Sequence, residues 1–145
     1  MADTTYQRDI ERWVRDVWLT AKFAQSFDRR DVPLGDCGKY RFAAVSEDRE
    51  IIALISTSES KMASGKRGVG KMLRIRAGVL FLIMARAHQR LVLLTERDMY
   101  EACLREKDRC RFPDNVEFHH VPLPPDLVEQ LNRGRRRSSD EVRPR

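Results

Sequence analysis

Near the start of the chain, apolar residues recur at helical spacing. Ile10, Trp13, Val14, Val17, Trp18 and Ala21 form one stripe, with Arg8, Glu11, Arg12 and Arg15 on the other faces. Thr4 and Gln7 have the spacing of a capping box, and the pattern fades near Ser26. Residues 28–38, with Pro33, Gly35 and Gly38, read as a loop. Two strands follow. Tyr40 to Val45 is aromatic and partly alternating, and Ile51 to Ile55 is a continuous apolar run with β-branched residues, the signature of a strand buried on both faces.

Residues 56–70 are rich in Ser, Gly and Lys and lack apolar periodicity, so they read as a loop. A helix is predicted from about Lys71 to His88. Its second half, Val79 to Ala85, is apolar on every side and is expected to be packed all round. Leu91 to Leu94 reads as a buried strand. Glu96 to Arg109 reads as a helix with Met99, Cys103 and Leu104 inward. Val116 to Val121 alternates as a strand, and Asp126 to Leu131 closes the pattern as a short helix. The order αββαβαβα predicts an α/β fold, a mixed central sheet with flanking helices.

Length and charge refine this picture. The chain has 145 residues, which suits one domain with a core of its own. The net charge is +6, and most of it lies at the end. From Arg133 onward there are six arginines against Asp140 and Glu141. The expected division is therefore a domain over residues 1–132 and a basic, disordered tail over 133–145. The longest apolar run, Val79 to Ala85, is far short of the roughly 20 residues of a membrane span. The N-terminus lacks the pattern of a secretory signal, so the cytoplasm is the expected location.

Cys37, Cys103 and Cys110 are an odd set with no close pair, which reads as thiols rather than a disulfide framework. Cys103 and Cys110 would share a helix face, with His119 and His120 further on. That spacing lacks the short anchor pair of a zinc site, and no cofactor is expected.

Between Ser60 and Thr95 there is no acidic residue. Within this segment, Gly65-Lys66-Arg67-Gly68-Val69-Gly70-Lys71 matches the letter pattern of a phosphate-binding loop. Met72 stands where a Ser or Thr would hold magnesium, and the preceding strand ends about nine residues too early. Nucleotide hydrolysis does not follow. What remains is a cluster of cations at a helix start: Lys61, Lys66, Arg67, Lys71, Arg74 and Arg76. Backbone amides beside such a cluster suit an anion, and phosphate is the expected partner group. No aromatic residues interleave with the cations, which argues against base stacking on a single strand.

The layout of helix, hairpin, loop, helix, strand, helix and strand resembles the PD-(D/E)xK nuclease superfamily over about residues 8 to 125. The hairpin carrying it is Arg41-Phe42-Ala43-Ala44-Val45-Ser46-Glu47-Asp48 followed by Ile51-Ile52-Ala53-Leu54-Ile55-Ser56-Thr57-Ser58. The resemblance implies a restriction-endonuclease-like fold and, in active members, two acids and a lysine acting with a divalent metal. The register that aligns the strands puts these positions at Ala43, Leu54 and Ser56, where all three functional groups are missing. A second register, Asp48, Glu59 and Lys61, restores the residue types but places them in a turn and a Ser-rich loop. Glu11 could support either site from the first helix, or pair with Arg8 or Arg15.

Three functions are compatible with these readings. The first is a noncatalytic nuclease-like domain holding the backbone of DNA or RNA through Lys61, Lys66, Arg67, Lys71 and Arg74. The second is an active Mg²⁺-dependent nuclease using Asp48, Glu59 and Lys61. The third is a protein-interaction module or homodimer without a nucleic-acid role, suggested by the paired Trp residues and the apolar helix half.

Overall fold

A computed structural model of the chain describes residues 5–61 and 68–142. The helices are α1 (Thr5–Trp13), continued through a π-helical stretch (Val14–Leu19) into α2 (Thr20–Phe23), then α3 (Val69–Met84), α4 (Arg97–Asp108) and α5 (Pro125–Val142). The strands are β1 (Phe27–Pro33), β2 (Lys39–Ser46), β3 (Ile51–Ser56), β4 (Gln89–Leu94) and β5 (Glu117–His120). They form one mixed sheet in the order β1-β2-β3-β4-β5. The β1–β2 and β2–β3 pairs are antiparallel, and β4 and β5 add in parallel. The α/β class and the mixed sheet with flanking helices are as the apolar pattern predicts. Among the described residues, no helix is long and apolar enough to cross a membrane.

The sheet separates two cores. On one face α3 and α4 pack Ile75, Val79, Leu82, Met99 and Cys103 over Phe42, Ile52, Val92, Leu94 and Phe118. On the other, α1, the π stretch and α5 pack Tyr6, Ile10, Val14, Leu19 and Leu131 over Ala44, Ile51, Ala53, Leu91 and Leu93. The central strands alternate between these cores, which explains their unbroken apolar runs.

Several elements depart from the sequence reading. Residues 28–38 are not all loop, because Phe27–Pro33 forms edge strand β1 on β2. Asp28, Arg29, Arg30 and Asp31 hide it from a search for apolar runs, and such charges are a usual feature of sheet edges. The order is thus αβββαβαβα, with a third strand before α3. Opposite Asp28 to Arg30, β2 spends one extra residue between Val45 and Phe42, a bulge that spans Ala43 and Ala44.

The first helical stripe is also redistributed. Val17 and Ala21 are exposed, and Leu19 is buried in their place. Val14 and Leu19 are five apart, the repeat of the π-helical stretch, so the wider turn rotates Leu19 into the core. Thr4, half of the expected capping box, lies outside the described residues.

Helix α3 stops at Met84, short of His88, where the chain turns extended at Ala85. Arg90 on β4 supplies the end cap, donating to the carbonyls of Leu82 (2.8 Å) and Ala85 (2.7 Å). The apolar second half is not packed all round. Leu80, Ile83 and Met84 face outward, because among the described residues no further layer covers α3 on the side away from the sheet. Its inner face approaches β3 closely. A Cβ at Gly78 would meet a Leu54 methyl at 2.5 Å, so the glycine makes room for Leu54.

The last helix runs to Val142 rather than ending near Leu131. Residues 133–142, read from composition as disordered tail, continue it. Cys110 lies beyond the end of α4 and is exposed, so it shares no helix face with buried Cys103. Burial pushes the Cys103 thiol up to about 12.

Candidate nucleic-acid interface

The chain leaves β3 at Ser56 and crosses toward α3 through Thr57 to Lys61. Three anchors hold this crossing. Arg135 on α5 donates to the Thr57 carbonyl at 2.6 Å and bridges Glu59 (3.0 Å) and Glu96 (2.9 Å). Asp98, in the first turn of α4, accepts from both the backbone N–H (2.9 Å) and hydroxyl (2.8 Å) of Ser60. The Gly68 N–H donates to the Ser60 carbonyl at 2.8 Å, closing the segment onto the start of α3. A Cβ at Gly68 would lie 3.0 Å from that same carbonyl oxygen, so the approach favours glycine.

Helix α3 begins after Gly68 with no side-chain cap and no acid in its first turn. The Lys71 and Met72 N–H groups donate back to the Gly68 carbonyl, and the positive end of the helix dipole meets no acid in the first turn. Lys71 reaches back and donates to the Lys61 carbonyl at 2.9 Å. Lys61 and Arg74 are exposed, and neither side chain has an ion pair among the described residues. Arg76 is turned toward α4, where it pairs with Glu106 at 2.5 Å. Lys61, Lys71 and Arg74 thus lie toward one end of α3. Lys66 and Arg67 lie outside the described residues.

Sequence inspection missed the contribution of α4. Arg105 and Arg109 lie one turn apart and line the same cleft as Lys61, Gly68 and Arg76. They are separated from Lys61 by more than forty residues, so no local charge run reveals them.

The acidic candidates occupy other positions. Asp48 sits in the β2–β3 turn, where its carboxylate accepts from the Ser46 hydroxyl (2.6 Å), the Glu50 N–H (2.9 Å) and the Gln25 amide (3.3 Å). These bonds, that from Ser46 foremost, hold its pKa below the ordinary value. The six residues of β3 lie between that turn and Glu59. At about 3.3 Å per residue, the strand keeps Asp48 about 17 Å or more from the loop of Glu59 and Lys61. The second register is therefore not brought together, and Glu59 is engaged by Arg135. In the first register, Ala43 stands at the bulge beside the Ala44–Ala53 pair, Leu54 packs toward α3, and the Ser56 hydroxyl accepts from the Ser58 N–H at 3.3 Å.

Glu11 pairs with Arg15 at 3.9 Å, and Arg15 also donates to the Ala43 carbonyl at 3.2 Å. Burial raises the Glu11 pKa, partly offset by Arg15 and Arg29. His88, expected at a helix end, lies instead in the connection to β4 and contacts Glu50 at 2.8 Å. Among the described residues, no group of three or more His, Cys, Asp or Glu side chains is placed to hold a metal ion.

Comparison with protein-family models, with curated proteins and with solved structures gave no match for this chain.

Proposed function

We propose that the chain is a noncatalytic, nuclease-like cytoplasmic domain that binds the backbone of DNA or RNA. The observation that carries this reading is the uncapped, acid-free start of α3 with Lys61, Lys71 and Arg74 around it. Cations with no carboxylate partner, beside backbone N–H groups, match the chemistry of a phosphate ester and read no base edge. The restriction-endonuclease-like layout supports the reading as a resemblance, with the acid and lysine positions filled by Ala43, Leu54 and Ser56. The reading involves no catalytic step, and Asp48 and Glu59, at opposite ends of β3, are not a carboxylate pair of the kind that shares a magnesium ion.

The test is fluorescence anisotropy with a labelled duplex at about 50 mM salt, where phosphate contacts are strong. The parent should bind with little sequence preference and lose affinity steeply as salt rises. Lys61→Glu combined with Arg74→Glu should weaken binding at least tenfold and flatten the salt dependence. Parental affinity in that variant would refute the reading.

A second reading, an interaction module, is favoured by the outward stripe Val69, Leu73, Leu80 and Met84 on α3, whose members are 42% to 65% exposed. It predicts self-association in light scattering that Leu73→Glu with Leu80→Glu abolishes, and no duplex binding at low salt.

A further inference from the structure

Between α3 and α4 lies a cavity of about 360 Å³. Its walls come from two helix faces at regular spacing: Val69, Met72 and Arg76 on α3, and Ala102, Arg105, Glu106 and Arg109 on α4. Met99, buried beneath, adds to the floor, and Ser60, Lys61 and Gly68 close the end nearest the basic crossing. The lining is chemically divided. Val69, Met72, Met99 and Ala102 are apolar, whereas Lys61, Arg76, Arg105 and Arg109 are cations facing a single carboxylate, Glu106.

That carboxylate is already engaged. Glu106 accepts from Arg76 at 2.5 Å and lies 3.7 Å from Arg109 and 4.0 Å from Arg111. One negative charge serves three guanidinium groups, so donors remain unmatched. Arg105 has no ion pair among the described residues. The lining therefore carries an excess of positive charge beside a soft apolar floor. Methionine thioethers pack favourably on aromatic rings and adapt to their shape, and guanidinium planes stack on such rings. The volume falls at the small end of ligand sites, which suits one nucleotide and not a stretch of duplex.

We infer that this cavity binds a single nucleotide unit, with the phosphate on Arg105 and Arg109 and the base against Met72 and Met99. The choice of a nucleotide rests on the nucleic-acid reading above; the cavity and its charge imbalance do not. The same chemistry is offered by a free nucleoside monophosphate and by a phosphorylated strand end lying on the neighbouring basic surface.

Isothermal titration of the full chain with adenosine monophosphate, and separately with inorganic phosphate, tests the inference. The nucleotide should bind saturably and at least tenfold more tightly than phosphate. Ala102→Trp fills the cavity from α4, and exposed Arg105→Glu reverses its free cation. Each should weaken nucleotide binding at least tenfold. Arg105→Glu should keep the parental melting temperature, so the result does not depend on whether the tryptophan variant folds. A 5′-phosphorylated short strand that displaces the nucleotide assigns the site to strand ends; failure to displace assigns it to free nucleotide. No nucleotide binding, binding no better than phosphate, or parental binding in Arg105→Glu would each overturn the inference. A closed circular duplex separates the two proposals. It should bind the Ala102→Trp variant, whose net charge is unchanged, within threefold of the parent, while absence of circular binding in the parent would sink the backbone surface and leave the cavity standing.

Discussion

At the β2–β3 turn, Asp48 accepts hydrogen bonds from Ser46, Glu50 and Gln25, and Glu50 pairs with His88. At the other end of β3, Glu59 and Glu96 are bridged by Arg135, while Lys61 and Arg74 have no carboxylate partner among the described residues. The acids at both ends are thus engaged in holding the chain, and the unpaired groups at the α3 end are cations. An acid that closes a turn is an explanation of local structure. A cation that closes nothing is the kind of group the proposed phosphate contact would use, and in this comparison such cations lie at the α3 end.

The largest expected effect comes from removing the clamp at that end. Arg135→Ala leaves Glu96, 18% exposed, without its cation, and frees the Thr57 carbonyl. Hydrogen bonds to charged groups are worth about 1.5–3 kcal/mol, so a loss of about 2 kcal/mol is expected. In a chain of this size that lowers the melting temperature by roughly 4–8 °C. An unchanged midpoint in calorimetry would show that the crossing is not held from α5.

Reversing charge separates the two ends by function. Lys61→Glu with Arg74→Glu should cost at least tenfold in duplex affinity, about 1.4 kcal/mol. Glu47→Lys with Glu50→Lys at the turn adds as much positive charge to the protein and should change affinity less than threefold. If the turn variant gains as much as the other loses, net charge rather than the α3 surface governs binding.

Smaller effects follow from geometry. Gly68→Ala would push a methyl to 3.0 Å from the Ser60 carbonyl oxygen and the Lys71 side chain. A cost of about 1 kcal/mol, at the low end for crowding a packed site, should be visible in urea unfolding. Asp48→Ala should have the smallest effect, and one that depends on pH. The Asp48 pKa is lowered in the folded chain, so its contribution is present above the ordinary carboxylate range and vanishes as pH falls through the folded value. The melting temperatures of parent and variant should therefore differ at pH 7 and converge as the pH falls through the ordinary carboxylate range and then the lowered folded value. A constant gap across that range would mean that Asp48 acts through packing alone.

The amino-acid sequence by itself determined the α/β class, the unbroken apolar strands β3 and β4, the inward Met99 and Cys103 of α4, and the cations that surround the start of α3. These depend on local spacing and composition, which the chain carries whatever its partners in space. Tertiary structure decided the rest. β1 forms because β2 offers hydrogen bonds, and Phe27 and Val32 alone are too few apolar residues to announce it. The π-helical stretch exists because the core accepts Leu19 in place of Val17. Leu80 and Met84 stay exposed because only one face of α3 meets the sheet. The candidate acids were legible as letters, D-x10-E-x-K, but their meaning was not. A strand between them keeps Asp48 and Glu59 apart, and distance in space is a property that spacing in sequence does not encode. For the same reason Arg105 and Arg109 join Lys61 at one cleft only once α4 is laid beside α3.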